Sequence, residues 1–152
     1  MFTVKKALCP IDFSPSSDAS LDAAIDLARR YGAELYLLHV VEGPAPPEAA
    51  ADLARIESSR EAVRARLADL VASRDATMTA HVLVSDGAPA EEILRIEELF
   101  GIDLILIAPH GRPTLGKIIF GSVADKVTRG SRAHLLLVKS PPNEYPVDPA
   151  GA

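Results

Sequence analysis

The chain has 152 residues, with 16 Lys and Arg against 21 Asp and Glu, so its formal charge is −5. Hydrophobic residues make up 48% and aromatics 5%, with no Trp and a single Cys. That balance excludes disorder and an internal disulfide, and it argues against wholesale binding to nucleic acid or an anionic membrane. The length fits one domain, read as residues 1–140 followed by a flexible tail, 141–152, that carries Pro141, Pro142, Pro146 and Pro149. No apolar run approaches the roughly 20 residues that span a bilayer. The first residues lack the order of a signal peptide, and the expectation is a cytoplasmic protein.

Residues 4–11 form a short apolar run broken by Lys5 and Lys6, which reads as a buried strand ending near Cys9 or Pro10. The segment 14–18, Ser-Pro-Ser-Ser-Asp, is rich in N-cap types. Leu21, Ala24, Ile25 and Ala28 then recur at helical spacing, and Gly32 follows; a helix is predicted over about 17–31. Residues 34–41 are almost continuously apolar, as in a parallel strand covered on both faces. After the Pro-rich break 43–47, Leu53, Ile56, Val63, Leu67, Leu70 and Val71 predict a long helix over about 48–73 with one apolar face.

A third strand is predicted over 77–84. Pro89 is placed to open a helix that Gly101 closes. Residues 104–107, Leu-Ile-Leu-Ile, form the most apolar strand. A loop over 109–121 leads to a short helix, 122–129, and a fifth strand, 135–138. The order βαβαβαβαβ predicts an open five-stranded parallel sheet with helices on both faces, a Rossmann-like α/β fold.

In such a sheet, ligands bind beyond the carboxyl ends of strands, where the strand order switches. Three segments leave those ends: 10–14, 39–41 and 108–111. The third runs on to Gly121 and Ser122 at a helix N-terminus, where unpaired N–H groups and a partial positive charge suit a phosphate. The segment 111–132 also holds Arg112, Lys117, Lys126, Arg129 and Arg132 against Asp125 alone, a local basic stretch in an acidic chain.

These residues resemble the universal stress protein family over about 5–139. Cys-Pro-Ile-Asp-Phe-Ser at 9–14 is similar to the family's first strand ending, and Leu-His-Val at 38–40 to its second. Residues 108–127 are similar to the G-x2-G-x9-G-[S/T] motif of the ATP-binding branch. Gly111, nine residues, Gly121 and Ser122 keep its second part, and Ala108 replaces its first glycine. The resemblance implies an adenine-nucleotide-hydrolase-like fold, commonly dimerised through the last strand, here 134–139 with His134 and Lys139 at its ends. It implies ATP as ligand, accompanied in some members by Mg or Mn. By the same likeness Asp12 sits by the ribose or a metal ion and the backbone of Val40 faces the adenine edge. Gly111, Gly121, Ser122 and the N–H of Val123 hold phosphates, while Pro10 and Ile107 wall the nucleoside.

Ala108 is the departure. Three cases are open: a positive φ that would strain an alanine, a methyl pressing on the ribose, or a negative φ with room to spare. Pro109 biases it toward an extended backbone. Each candidate also has a plain structural reading. Asp12 could be a helix-entry residue, the two glycines loop geometry, and Ser122 an N-cap. His110 is a phosphate or partner contact, or an exposed side chain. His39 reads as packing, and His81 and His134 as structural or surface residues. Cys9 reads as an inert small hydrophobe. Glu91, Glu92, Glu97 and Glu98 read as a polar helix surface.

No metal-ligand spacing, P-loop or Ser-His-Asp signature is present. A receiver domain would need acids after strand one and at the end of strand three, which are absent. The expectation is a regulatory protein that binds ATP, accompanied by Mg as in some members of the family, and responds to stress without strong catalysis, with an unidentified protein partner. The alternative is a dimeric interaction module of the same fold that binds no nucleotide.

Overall fold

The computed structural model describes residues 1–43, 50–109 and 121–139; the expected tail 141–152 lies outside them. Nine elements alternate: β1 Lys6–Pro10, α1 Pro15–Tyr31, β2 Glu34–Val41, α2 Ala50–Ala72, β3 Ala80–Asp86, α3 Pro89–Phe100, β4 Leu104–Ile107, α4 Ser122–Gly130 and β5 His134–Leu137. The strands form one parallel sheet in the order β3-β2-β1-β4-β5. This is the predicted open five-stranded fold.

Strand alternation divides the core in two. Ala7, Cys9, Leu35, Leu37 and Leu106 face α1 and α2, where they meet Leu21, Ile25, Leu67 and Val71. Leu8, Tyr36, Leu38, Ile105 and Ile107 face α3 and α4, where they meet Ile93, Ile96, Ala124 and Val127. The central strands therefore bury both faces, which explains their unbroken apolar runs.

Local chemistry sets the boundaries, and it moves some of them from their expected places. Ser14 caps α1, its hydroxyl accepting from the Ser17 N–H at 3.3 Å, so the helix opens at Pro15 and not at residue 17. Gly32 and Gly101 close α1 and α3 in the left-handed conformation, at φ 64° and 66°. The third strand begins at Ala80 because Asp75 ties the preceding residues into a turn. Its Oδ1 accepts from the Thr77 N–H at 2.9 Å and the Thr77 hydroxyl at 2.6 Å. Pairing with β2 then carries β3 on to Asp86.

The apolar stripe of α2 needs correction. Leu67 and Val71 are buried, but Leu53 is 49% exposed. A 23-residue helix is about 34 Å long, and the seven-residue β3 beneath it about 24 Å. Arg60 pairs with Asp86 at the end of β3, so the turns before it run past the sheet. Glu97 is a second correction: it is 8% exposed and not part of a polar surface. Its Oε1 accepts from the N–H groups of Arg132 and Ala133 at 2.8 and 2.9 Å, fastening α3 to the α4–β5 turn.

Candidate functional site

The sheet order reverses between β1 and β4, because β2 and β3 lie on one side of β1 while β4 and β5 lie on the other. A crevice of about 400 Å³ opens there, beyond the carboxyl ends of β1, β2 and β4. Six residues expected from the sequence line it: Pro10, Asp12, Val40, Ile107, Ala108 and Val123. They come from four elements or their ends, and only the parallel sheet brings them together.

Its walls are largely aliphatic, with Leu38 and Ile93 adding to Pro10, Val40 and Ile107. The peptide of Val40 has a particular setting. The Leu38 carbonyl accepts from the Ile11 N–H at 2.8 Å, so residue 38 faces β1. Val40, two residues on, faces the same way, but the β1 ladder ends at the Pro10–Leu38 pair. On its other side β2 continues against β3 as far as Val41. The backbone at Val40 is thus turned toward the crevice, beyond the last rung of β1.

Gly121 and Ser122 stand next to Val123 at the start of α4. Gly121 is the N-cap, with φ −60°, and provides no side-chain cap to the helix. Any residue adopts that φ, so the backbone at this position does not itself require glycine. Ser122 is the first helical residue and is exposed, so the N-cap reading of it does not hold. Gly111 and His110 lie outside the described residues.

Ala108 is 4% exposed and lines the crevice. Among the described residues, Phe13 is the non-glycine residue with a positive φ. Ala108 therefore carries no left-handed strain, and the first of its three cases falls.

Phe13 itself is a feature that sequence reading missed. Its φ of 62° costs a non-glycine residue about 1–2 kcal/mol. It follows Asp12, whose Oδ1 accepts from the Ser14 N–H at 2.9 Å in a tight side-chain turn. The Phe13 ring lies 4.9 Å from the ring of His39, and the Arg66 guanidinium carbon is 3.8 Å from its centroid. His39 does pack, as expected, but it also lines the crevice and donates from Nδ1 to the Ile11 carbonyl at 2.7 Å. The carbonyl can only accept, which fixes the proton on Nδ1. A signal for Arg66 was absent from the sequence, because its contact with Phe13 spans the whole of β2 and half of α2.

The charged residues lining the crevice, among those described, are Asp12 and Glu42. The described residues contain no cluster of three or more His, Cys, Asp or Glu side chains suited to hold a metal. Cys9 is fully buried in β1, and desolvation pushes its thiol far above the ordinary value, in keeping with an inert side chain. His81 stacks on Tyr36 at 4.5 Å and meets Glu34 at 3.1 Å, while His134 lies 5.0 Å from the Phe2 ring; both are structural contacts away from the crevice.

Fold and crevice together define an open parallel α/β protein with a crevice at the switch point of its sheet. The sequence pattern of the universal stress protein family matches residues 3–139. The chain is 31% identical to universal stress protein MJ0531 of Methanocaldococcus jannaschii, over 92% of this chain and 85% of that one. It is 30% identical to universal stress protein YxiE of Bacillus subtilis, over 88% and 98%. The chain belongs to the universal stress protein family. In structure it is similar to MJ0577 of M. jannaschii, with a TM-score of 0.73 and 26% identity over 93% of this chain and 99% of that one. A universal stress protein solved in complex with cAMP shares the fold, with a TM-score of 0.64 and 20% identity over 90% and 98%.

Proposed function

We propose that the crevice binds an adenine nucleotide, ATP with Mg, and that the protein is a cytoplasmic, stress-responsive regulator and not an enzyme. The observation that carries this reading is the convergence of Pro10, Asp12, Val40, Ile107, Ala108 and Val123 on one crevice at the switch point. Adenine fits between the aliphatic walls, its edge bonding the Val40 peptide. Ribose hydroxyls donate to the Asp12 carboxylate. Phosphates reach the N-terminus of α4, where Gly121, Ser122 and the Val123 N–H meet a favourable helix dipole, with Gly111 joining them as the family motif implies. Mg would be held mostly by phosphates and waters, with the Asp12 carboxylate as the protein ligand that the family likeness implies. Bound, it would neutralise phosphate charge. The cAMP complex of the fold neighbour shows that this fold accommodates an adenine nucleotide in that protein.

In this reading residues 1–140 act as one domain, and two copies pair through their β5 edges at 134–139. A protein partner would read the nucleotide state from the dimer. The alternative, a module without nucleotide, drew its support from Ala108, and the unstrained backbone there weakens it. The test is isothermal titration of the purified chain with ATP and Mg. Saturable binding is expected, and no heat at millimolar ATP would sink the proposal.

A further inference from the structure

We infer that Arg66 and His39 are positioning residues for Asp12, acting through Phe13. This rests on the nucleotide reading of the crevice and adds a device that runs from its wall at His39 to Arg66 outside its lining. A phenylalanine in the left-handed region persists only where its surroundings over-determine it. Here they do so from two elements. His39, on β2, grips both neighbours of Asp12: its Nδ1–H bonds the Ile11 carbonyl at 2.7 Å, and its ring meets that of Phe13 at 4.9 Å. Arg66, on α2, lays its cation 3.8 Å from the centre of the same ring.

The positive φ of Phe13 folds the chain back so that the Ser14 N–H reaches Asp12 Oδ1 at 2.9 Å. That bond orients the Asp12 carboxylate at the crevice. The chain of contacts from α2 to the site is therefore Arg66, Phe13, the turn, Asp12. Arg66 is not among the described residues that line the crevice, and its contact on the way to Asp12 is with Phe13.

The test compares wild type, Arg66→Ala, Arg66→Lys and Phe13→Leu. Each is titrated with Mg-ATP and with 2′,3′-dideoxy-ATP, which lacks the hydroxyls that Asp12 would hold. Hydrogen exchange of the Ser14 amide is measured without ligand, and thermal melting checks folding. Arg66 is exposed on its helix, so its variants keep the fold. The expected result is that Arg66→Ala and Phe13→Leu weaken ATP about threefold to tenfold and leave the dideoxy analogue unchanged. Arg66→Lys, which keeps a cation, retains most of the affinity. Ser14 exchange rises in Arg66→Ala. Equal loss of both ligands, or no loss of either, overturns the inference while the nucleotide reading stands. If wild type binds neither ligand, the nucleotide reading falls. Ser14 exchange then decides the clamp by itself: a rise in Arg66→Ala supports it, and no change overturns it.

Discussion

Ala108 bears most directly on whether the crevice of this family member is a working site. It stands where the ATP-binding motif has glycine, its side chain is buried, and its backbone is outside the left-handed region. The methyl group is part of the crevice wall and not a source of strain. Ala108→Gly is therefore expected to leave ATP affinity within about threefold of wild type, measured by titration. The same change lowers stability by about 1 kcal/mol in urea unfolding, because glycine gains freedom in the unfolded chain. A large gain in affinity would instead restore the reading of a site impaired by its alanine. Phe13 is the opposite case, a side chain in a conformation that glycine adopts freely, held by neighbours from β2 and α2.

Between elements, two carboxylates act as fasteners. Asp75 follows α2 and binds Arg29 of α1, while accepting from Thr77 at the approach to β3. The Thr77 hydroxyl first, and then Arg29, hold its pKa at about 2, below the ordinary 3.8. A depressed carboxylate stabilises the fold above its unfolded pKa and loses that effect as pH falls through its folded one. Asp75→Asn is thus expected to be less stable than wild type at neutral pH, with the two converging as pH falls from about 4 to about 2. The urea midpoint against pH measures this. Glu97 fastens α3 to the turn before β5 by accepting from two backbone N–H groups. Glu97→Ala would strand the Arg132 N–H, leave the Ala133 N–H with only the Ser131 hydroxyl at 3.0 Å, and cost about 1–3 kcal/mol in urea unfolding. Glu97→Gln keeps an acceptor and is expected to cost less.

For the whole molecule, the open question is how the two edges of the sheet are used. β5 is an edge strand, Leu136 on it is 40% exposed, and Phe2 packs edge-on against both Tyr31 and His134 nearby. An apolar edge with no further strand beside it among the described residues invites a second copy. Light scattering is expected to give about 32 kDa, twice the 16.1 kDa of one chain, and Leu136→Glu to give a monomer with an unchanged circular dichroism spectrum. A monomeric wild type would end the dimer proposal. No helix among the described residues is long and apolar enough to cross a membrane.

The sequence by itself determined the element order and the parallel sheet. Buried parallel strands read as unbroken apolar runs, and helix-end signals such as the caps Ser14, Gly32 and Gly101 and the opening Pro89 act within a turn of where they stand. It also pointed to Pro10, Asp12, Val40, Ile107, Ala108 and Val123, because strand ends carry ligands in such sheets and the family motif lies on them. Only the tertiary structure decided that these six share one crevice and that the backbone at Ala108 is unstrained. It alone decided that the first turns of the apolar stripe of α2, at Leu53 and Ile56, run past the sheet, that Glu97 is buried, and that Phe13 is held between His39 and Arg66. The physical reason is range. Capping and periodicity are set by residues a few positions apart, whereas burial and strain depend on which distant segments the fold brings into contact.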